Sequence, residues 1–223
     1  MSPATRPTDG AAIEPTLAKG IYEWLRERII DGTLKPGERI REREVAEKLK
    51  VSRIPIREAL PQLESEGYVT TIPRRGAIVT RMARQDVDEL FEVRSSLEVL
   101  AAKLAAERCA QGADTTALSA CLAEAEEAVA EGDNPRIAEA NSRLHEEVLK
   151  LTGNSLLQHI MVPISGRVQR LFHIVTERDH AAVHAEHVAL CKAILAGKSE
   201  LAEALAFVHV EISRQETSPV FAE

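Results

Sequence analysis

Arg53 and Arg57 lie one helical turn apart in a stretch, residues 51–60, that has the features of a short helix. Ser52 is a favourable N-cap for a helix that begins there. One apolar face of this helix is formed, at positions i, i+3, i+4 and i+7, by Ile56, Ala59, Leu60 and Leu63. A guanidinium can bond a guanine base bidentately or hold a phosphate, so such a helix suits a DNA groove. The pattern also fits an ordinary amphipathic helix whose arginines are solvated.

A second set of residues has the chemistry of a metal site. Asn141 and His145 are one turn apart on one predicted helix face, and His187 and His209 lie on two later predicted helices. Three imidazoles that converge from different helices inside a bundle would hold a first-row divalent metal, with zinc or nickel favoured by ligand softness. His184 shares a helix face with His187, so spacing alone leaves it as an alternative ligand.

The composition bounds the class of protein. The chain has 223 residues, enough for one large or two small domains, and is 44% hydrophobic but only 3% aromatic, which predicts an aliphatic core. No apolar run is long enough to span a bilayer, and residues 1–16 are predicted to form a flexible tail without a signal segment. The three scattered cysteines, Cys109, Cys121 and Cys191, favour a reducing compartment over a disulfide framework. We therefore expect a cytoplasmic protein with no membrane partner.

The charge is unevenly distributed along the chain. The formal net charge is −7, which is unusual for a protein that binds DNA. Residues 17–82, however, hold 14 Lys+Arg against 10 Asp+Glu, a net of +4, whereas residues 83–223 hold 13 against 23, a net of −10. The basic part can approach phosphate while the acidic part stays away from it.

Residues 17–82 have the pattern of three helices followed by a β-hairpin. The helices are predicted at 17–30, at 42–49 and from Ser52 to Gly67, and the strands at 68–72 and 77–80. A turn that contains Arg75 joins the two strands. This order predicts a winged helix-turn-helix, in which the second of two close helices enters the major groove of double-stranded operator DNA and the hairpin tip reaches a neighbouring minor groove.

The remainder, residues 83–217, is predicted to be an all-α antiparallel helical bundle. Six helical segments are expected, at about 86–110, 114–131, 135–152, 154–178, 180–196 and 199–215. Glycines separate most of these segments, and Pro163 is expected to kink the fourth.

Several motifs of the first part carry a family resemblance. They are Gly32-x-Leu34-x-Pro36-Gly37, Arg43-Glu44-Val45-Ala46, Val51-Ser52-Arg53-x-Pro55-Ile56-Arg57-Glu58-Ala59-Leu60, Leu63-Glu64-x-Glu66-Gly67 and Arg75-Gly76. Together they resemble the DNA-binding domain of the GntR family of bacterial regulators over roughly residues 17–82. The resemblance implies groove and phosphate contacts at Arg43, Ser52, Arg53 and Arg57, and a wing tip formed by Arg75 and Gly76.

Three residues depart from the family pattern. Arg41 stands where the family usually has a small polar N-cap, so the second helix is expected to start weakly. Lys50 replaces a glycine at a site that often needs a positive φ. Pro61 lies inside the third helix, where it removes a backbone donor and should either kink the helix or re-set its second half.

A second, sparser resemblance covers the helical part. The residues that carry it are Val93-Arg94-x-x-Leu97-Glu98-x-x-Ala101-Ala102, Asn141-x-x-Leu144-His145, Gly153-Asn154, Glu186-His187, Ala204 and His209. They resemble the FCD effector domain of the FadR branch, in its six-helix variant. The resemblance implies that the metal ligands are Asn141, His145, His187 and His209. The family has Asp where this chain has Asn141, so the metal is expected to bind more weakly or to need an effector carboxylate. The alternative is a site that has lost its metal and binds effector directly.

Arg94 and Arg167 are candidates for holding an anionic effector, because arginine grips carboxylate bidentately. A surface ion pair is the alternative for each. The chain is thus expected to be a homodimeric bacterial transcriptional regulator whose DNA binding responds to a small organic acid. Two other functions remain open on the sequence: a metalloenzyme with a nucleic-acid tether, and an architectural DNA-binding protein with an inert dimerisation domain.

Overall fold

The computed structural model describes residues 15–73, 75–175 and 179–221. Two compact units divide the chain, Met1–Arg81 and Met82–Glu223. Most of the predicted tail, residues 1–16, lies outside the described residues, as does the predicted end of the fourth bundle helix, residues 176–178. The predicted fold class, mostly α with a small winged sheet, is confirmed.

The first unit is a winged helix-turn-helix. Its elements are α1 (Pro15–Ile30), β1 (Arg39–Ile40), α2 (Glu42–Leu49), α3 (Arg53–Ser65), β2 (Val69–Ile72) and β3 (Gly76–Val79). The three strands form an antiparallel sheet in the order β1-β3-β2, with Arg39 opposite Ile78 and Val69 opposite Val79. The two-residue strand β1 was not predicted, because so short a segment has no periodicity of its own.

The apolar face of α3 anchors this unit. Ile56, Ala59, Leu60 and Leu63 are all buried, as the spacing predicts. They pack with residues of α1, such as Leu25, and with residues of the sheet, such as Val79, in one continuous core. Burial of a single Leu or Ile side chain contributes roughly 1.5–3 kcal/mol, so this face holds α3 firmly.

Helix α3 runs unbroken through Pro61 to Ser65. The expectation that Pro61 re-sets the second half of the helix is therefore wrong. Pro61 is on the exposed side, and the buried residues before and after it, Leu60 and Leu63, hold the helix on its core. Pro163 is likewise inside a continuous helix.

The second unit is a helical bundle. Its elements are α4 (Arg84–Ala110), α5 (Thr116–Glu131), α6 (Asn134–Leu151), α7 (Ser155–Ile174), α8 (His180–Leu195), α9 (Ser199–Thr217) and a short 3-10 helix (Ser218–Phe221). These are the six predicted helices, with bounds that differ by a few residues. Helix α4 is central, because it packs against α6, α7, α8 and, most extensively, α9.

The core of this bundle is aliphatic and rich in alanine, as the composition predicts. Small side chains allow close approach of the helices: a Cβ on Gly197 would lie 2.9 Å from the Cβ of Ala110. Cys121 and Cys191 are buried in the same core and are not disulfide-bonded. Burial raises the pKa of the Cys191 thiol to about 12, which makes it an inert apolar residue. Within the described residues, no helix is both long and apolar enough to cross a membrane.

Lys50 caps the C-terminus of α2 in the left-handed conformation, with φ 55° and ψ 42°. Among the described residues it is the one non-glycine residue with a positive φ. Its backbone N–H bonds the carbonyl of Ala46, which ends the helix and turns the chain toward α3. The sequence expectation of a positive φ at this position is confirmed.

Replacing Lys50 with glycine should stabilise the protein. The left-handed conformation costs an L-residue about 1–2 kcal/mol, and glycine avoids this cost. Glycine also has more conformational freedom in the unfolded chain, which lowers the stability of the folded state by about 0.4–1 kcal/mol. We expect a net gain of about 0.5–1 kcal/mol in the free energy of unfolding, measured by urea denaturation. The matched control is Glu47→Gly, in the interior of the same helix, which should lose a similar amount. A loss of stability in Lys50→Gly would show that its lysine side chain matters more than its backbone.

Candidate DNA-binding face and metal centre

The predicted contact residues of α3 are on its exposed side. Arg53 and Arg57 are exposed, opposite the buried face that anchors the helix. Ser52 is at the N-cap position with an extended backbone, as predicted, but its hydroxyl makes no capping hydrogen bond. The expectation that this side chain caps the helix is therefore wrong, and the exposed hydroxyl is available for other donors and acceptors.

Helix α2 supplies acidic partners to two of the predicted contact residues, Arg57 and Arg43. The Nε of Arg57 donates to Oε2 of Glu42 at 2.7 Å, although 60% of the Arg57 side chain remains exposed. Glu42 is the first residue of α2 and only 17% exposed. Arg43, also exposed, lies 3.6 Å from Glu47 on the same helix. The sequence did not identify the Arg57–Glu42 pair, because the two residues are fifteen positions apart on different helices.

Contacts to the backbone shape the wing. Arg39 of β1 donates from Nε and Nη2 to the carbonyl of Arg75, at 3.0 and 2.7 Å, and so ties β1 to the tip. Gly76 is buried, has φ +88°, and would place a Cβ 2.2 Å from the carbonyl oxygen of Ile40. Gly76, which the resemblance placed at the wing tip, thus begins β3 and shapes the wing through its backbone. Arg75 is exposed at the tip.

Three imidazoles converge inside the second unit. The Nε2 atoms of His145 and His187 are 3.1 Å apart, and those of His187 and His209 are 3.3 Å apart. Helices α6, α8 and α9 each supply one of the three rings. His187 and His209 are buried and His145 is partly exposed. The predicted convergence of these histidines is therefore present.

Two of the three separations between these nitrogens fit a shared metal ion, and the ligand atoms all lie within 4.8 Å of one another. Two nitrogens about 2.1 Å from one zinc ion lie roughly 3.0–3.4 Å apart for bond angles between octahedral and tetrahedral. The observed 3.1 and 3.3 Å fall within this range. Asn141, one turn before His145, is buried, and its Oδ1 has no hydrogen-bond partner in the described structure. A buried amide oxygen of this kind can serve as a further ligand, so the residues present fit a divalent metal.

Two glutamates of the resemblance motifs, to which the sequence assigned no role, support the histidines. The Nδ1 of His209 is 2.7 Å from Oε2 of Glu186, which fixes the ring so that its Nε2 faces the other imidazoles. Oε2 of Glu98 is 4.0 Å from Nδ1 of His145. Burial alone would raise the pKa of Glu98, but the charges of Arg94 and His145 lower it to about 2. Glu98 is therefore an anion beside the imidazole cluster.

Arg94 is completely buried, so the alternative of a surface ion pair is wrong. Its Nε and Nη2 donate to the two carboxylate oxygens of Glu98, at 2.6 and 3.3 Å. The guanidinium carbon also lies 4.9 and 5.4 Å from the ring centroids of Phe91 and Phe172. The Nη1 of Arg94 has no hydrogen-bond partner among the described residues.

A cavity of about 480 Å³ adjoins these groups. Asn141, Arg94, Glu98 and the three histidines all line it. Arg167, which was predicted to act beside Arg94, is not among the residues that line this cavity. Helix α7 faces the cavity with Ser165, Val168, Gln169 and Phe172. Arg167 lies between these positions in sequence and is therefore rotated away from the cavity by the helical twist.

His184, the alternative ligand, is not part of the imidazole cluster. It is buried on α8, outside the residues that line the cavity. Burial lowers the pKa of its imidazole, so it is a neutral core residue at neutral pH. Of the two candidates on this helix face, His187 is the one that belongs to the imidazole cluster.

Comparisons with known proteins agree with this architecture. Residues 17–79 match the profile of bacterial regulatory proteins of the gntR family, and residues 89–212 match that of the FCD domain. The chain is 33% identical to the uncharacterized HTH-type transcriptional regulator YdhC of Bacillus subtilis over 72% of each protein. It is 30% identical to the Nta operon transcriptional regulator of Aminobacter aminovorans, over 79% of this chain and 83% of that protein.

The fold also matches a solved structure, Escherichia coli McbR/YncC, with a TM-score of 0.75 and 22% identity over 92% of this chain and 98% of that one. The matched relatives are transcriptional regulators and not enzymes, so the metalloenzyme considered from the sequence is excluded. The winged unit, the six-helix unit and these matches together show that the chain belongs to the GntR family of bacterial transcriptional regulators and carries an FCD domain.

Proposed function

We propose that this regulator binds operator DNA as a homodimer and that a small organic acid, bound at a divalent metal in the helical unit, changes its DNA binding. The observation that carries the proposal is the cluster of three imidazole nitrogens on the wall of a cavity, because such a cluster serves a ligand and is superfluous in an inert dimerisation domain. We expect the regulator to act in the cytoplasm, where operator DNA is found.

The DNA-binding part of the proposal rests on the exposed side of α3 and on the wing. Arg53 and Arg57 project from a helix whose other side is anchored by a core, and Ser52 and Arg43 are exposed nearby in sequence. Arg75 provides a cation at the wing tip, which Gly76 shapes. A net charge of +4 over residues 17–82 favours contact with phosphate.

Homodimerisation is supported by an apolar face of the helical unit. Val93 and Leu100 of α4 are 42% and 40% exposed, and Ile160 of α7 is 45% exposed. Between them lie Leu97 and Leu104, only partly buried in the core that joins α4 and α7. A second copy would cover this surface, and paired helix-turn-helix units would then read two half-sites of an operator.

The metal part rests on the ligand set. His145, His187 and His209 with the Asn141 oxygen would hold zinc or nickel. Bound there, the metal supplies a positive charge and an open coordination position for the effector. The neighbouring residues orient the ligands: Glu186 directs His209, and Glu98 lies beside His145. Since Asn141 brings no charge, a carboxylate is a suitable additional ligand.

Metal content tests this part directly. His145→Ala and His209→Ala should each release zinc, since each removes one of three imidazole ligands, whereas His184→Ala, which removes a buried imidazole outside the cluster, should retain it. Elemental analysis of protein purified without chelator gives the measurement. Asn141→Asp should bind zinc more tightly, because it adds a negative charge to the site. Wild-type protein that neither carries zinc nor gains it on addition would refute the metal site.

The DNA contacts are tested by comparing Arg57→Ala with Arg75→Ala. If Arg57 reads a base edge, its loss should cost about 1–3 kcal/mol and relax preference at one symmetric pair of operator positions. If Arg75 only meets phosphate or the minor groove, its loss should weaken binding to all sequences alike and reduce the salt dependence. Gel shifts on operators selected from randomised DNA, at several salt concentrations, separate the two effects. Full affinity in Arg53→Ala/Arg57→Ala would show that α3 is not the reading helix.

A further inference from the structure

The residues that line the cavity carry little positive charge. Among the described residues that line it, Arg94 is the one permanent cation, and both oxygens of Glu98 already bond it. Glu146 adds a second carboxylate at the exposed edge. Apart from the histidines, the charged side chains of the wall sum to −1. An anionic group distant from the imidazole cluster would therefore find no uncompensated cation on the described wall.

The rest of the wall is largely apolar. Its large apolar side chains include Met161, Val168, Phe172, Val175, Val183 and Leu190. Its uncharged polar members include Ser142, Ser165 and Gln169, and His173 also lines it. The cavity volume of about 480 Å³ is typical of small-molecule sites. A two-carbon acid would leave most of this apolar space to water, which is unfavourable.

We propose that the effector is a monocarboxylate with an extended apolar body. Its one carboxylate is bound at the imidazole cluster, within reach of the Nη1 donors of Arg94, and its body contacts side chains such as Met161, Val168 and Phe172. A second carboxylate on the body would be buried against apolar side chains without a cationic partner, at a large cost. The inference rests on the proposed function, in that the effector binds at the metal.

Two six-carbon acids, hexanoate and adipate, test this proposal as matched probes, with 1-hexanol as the uncharged control. Titration calorimetry on zinc-loaded protein should show that hexanoate binds at least tenfold more tightly than adipate, and that hexanol does not bind measurably. Adipate or citrate binding as tightly as hexanoate, or no binding of any acid to the zinc-loaded protein, would overturn the proposal. The zinc content is measured first, so that a protein without metal is recognised as a failure of the proposed function instead.

A charge added to the wall should reverse the preference. Gln169 lines the cavity and is only partly buried, so Gln169→Lys supplies the missing cation with little disturbance. This variant should gain affinity for adipate relative to hexanoate. Val162→Lys, on the exposed part of the same helix and outside the cavity wall, is the matched control and should leave the ratio unchanged. An unchanged ratio in Gln169→Lys would place the body of the ligand elsewhere.

A separate observation concerns the DNA-binding unit. The Glu42 carboxylate bonds the Nε of Arg57 and is largely buried, whereas the guanidinium it holds is mostly exposed. A guanidinium is a planar fork, so a bond to Nε fixes the plane and leaves the outer Nη donors for another partner. We infer that Glu42 is a positioning residue that orients Arg57 for reading a base. This inference also rests on the proposed function of α3.

Glu42→Ala should therefore affect discrimination more than affinity. We expect about a tenfold loss of discrimination at the operator position that Arg57 reads. Binding to random DNA should be unchanged or tighter, since a negative charge is removed. Glu44→Ala, which removes an exposed carboxylate of the same helix, is the control and should leave discrimination intact. Equal discrimination in Glu42→Ala and wild type would overturn the inference, as would the same loss from Glu42→Ala in an Arg57→Ala background. No effect of Arg57→Ala itself would instead refute the role of α3.

Discussion

A buried charge must be neutralised where it lies, and in the helical unit this constraint falls on Arg94. The guanidinium is completely buried on α4, the helix around which the other bundle helices pack. Removing one partner of a buried ion pair costs about 3–5 kcal/mol, because the remaining charge is left without compensation. Glu98 supplies that compensation one turn away, and its second oxygen is beside His145. The same pair therefore closes the core and forms part of the wall of the ligand cavity.

Because they bond each other, Arg94 and Glu98 do not form a simple anion-binding site. An arginine already bonded by a carboxylate attracts a second anion only weakly, so an acid in this cavity, as proposed, would need another positive group. A divalent ion at the imidazole cluster would provide it. A neutral Asn141 ligand would leave more of the charge of that ion available to the acid.

The winged unit holds polar side chains in a fixed geometry at an exposed surface. The buried face of α3 fixes the helix axis, and contacts from neighbouring elements fix individual groups. Glu42 holds the guanidinium of Arg57, and Arg39 holds the backbone of Arg75 at the wing tip. Both partners lie at the start of short elements, β1 and α2, whose ends are close in sequence. Exposed long side chains lose less entropy on binding when they are oriented in advance.

Local pattern alone predicted much of this protein. Periodicity and glycine placement predicted the helices to within a few residues and the apolar face of α3, because these properties depend on neighbours along the chain. The family resemblance indicated the positive φ at Lys50. Residue type and family resemblance selected the three histidines. Tertiary structure alone decided which groups meet: Glu42 with Arg57, Glu186 with His209, and Arg94 buried against Glu98, while Arg167 faces away from the cavity. It also decided that α3 continues through Pro61 and that Gly76 must be a glycine, since both outcomes depend on packing against distant segments of the chain.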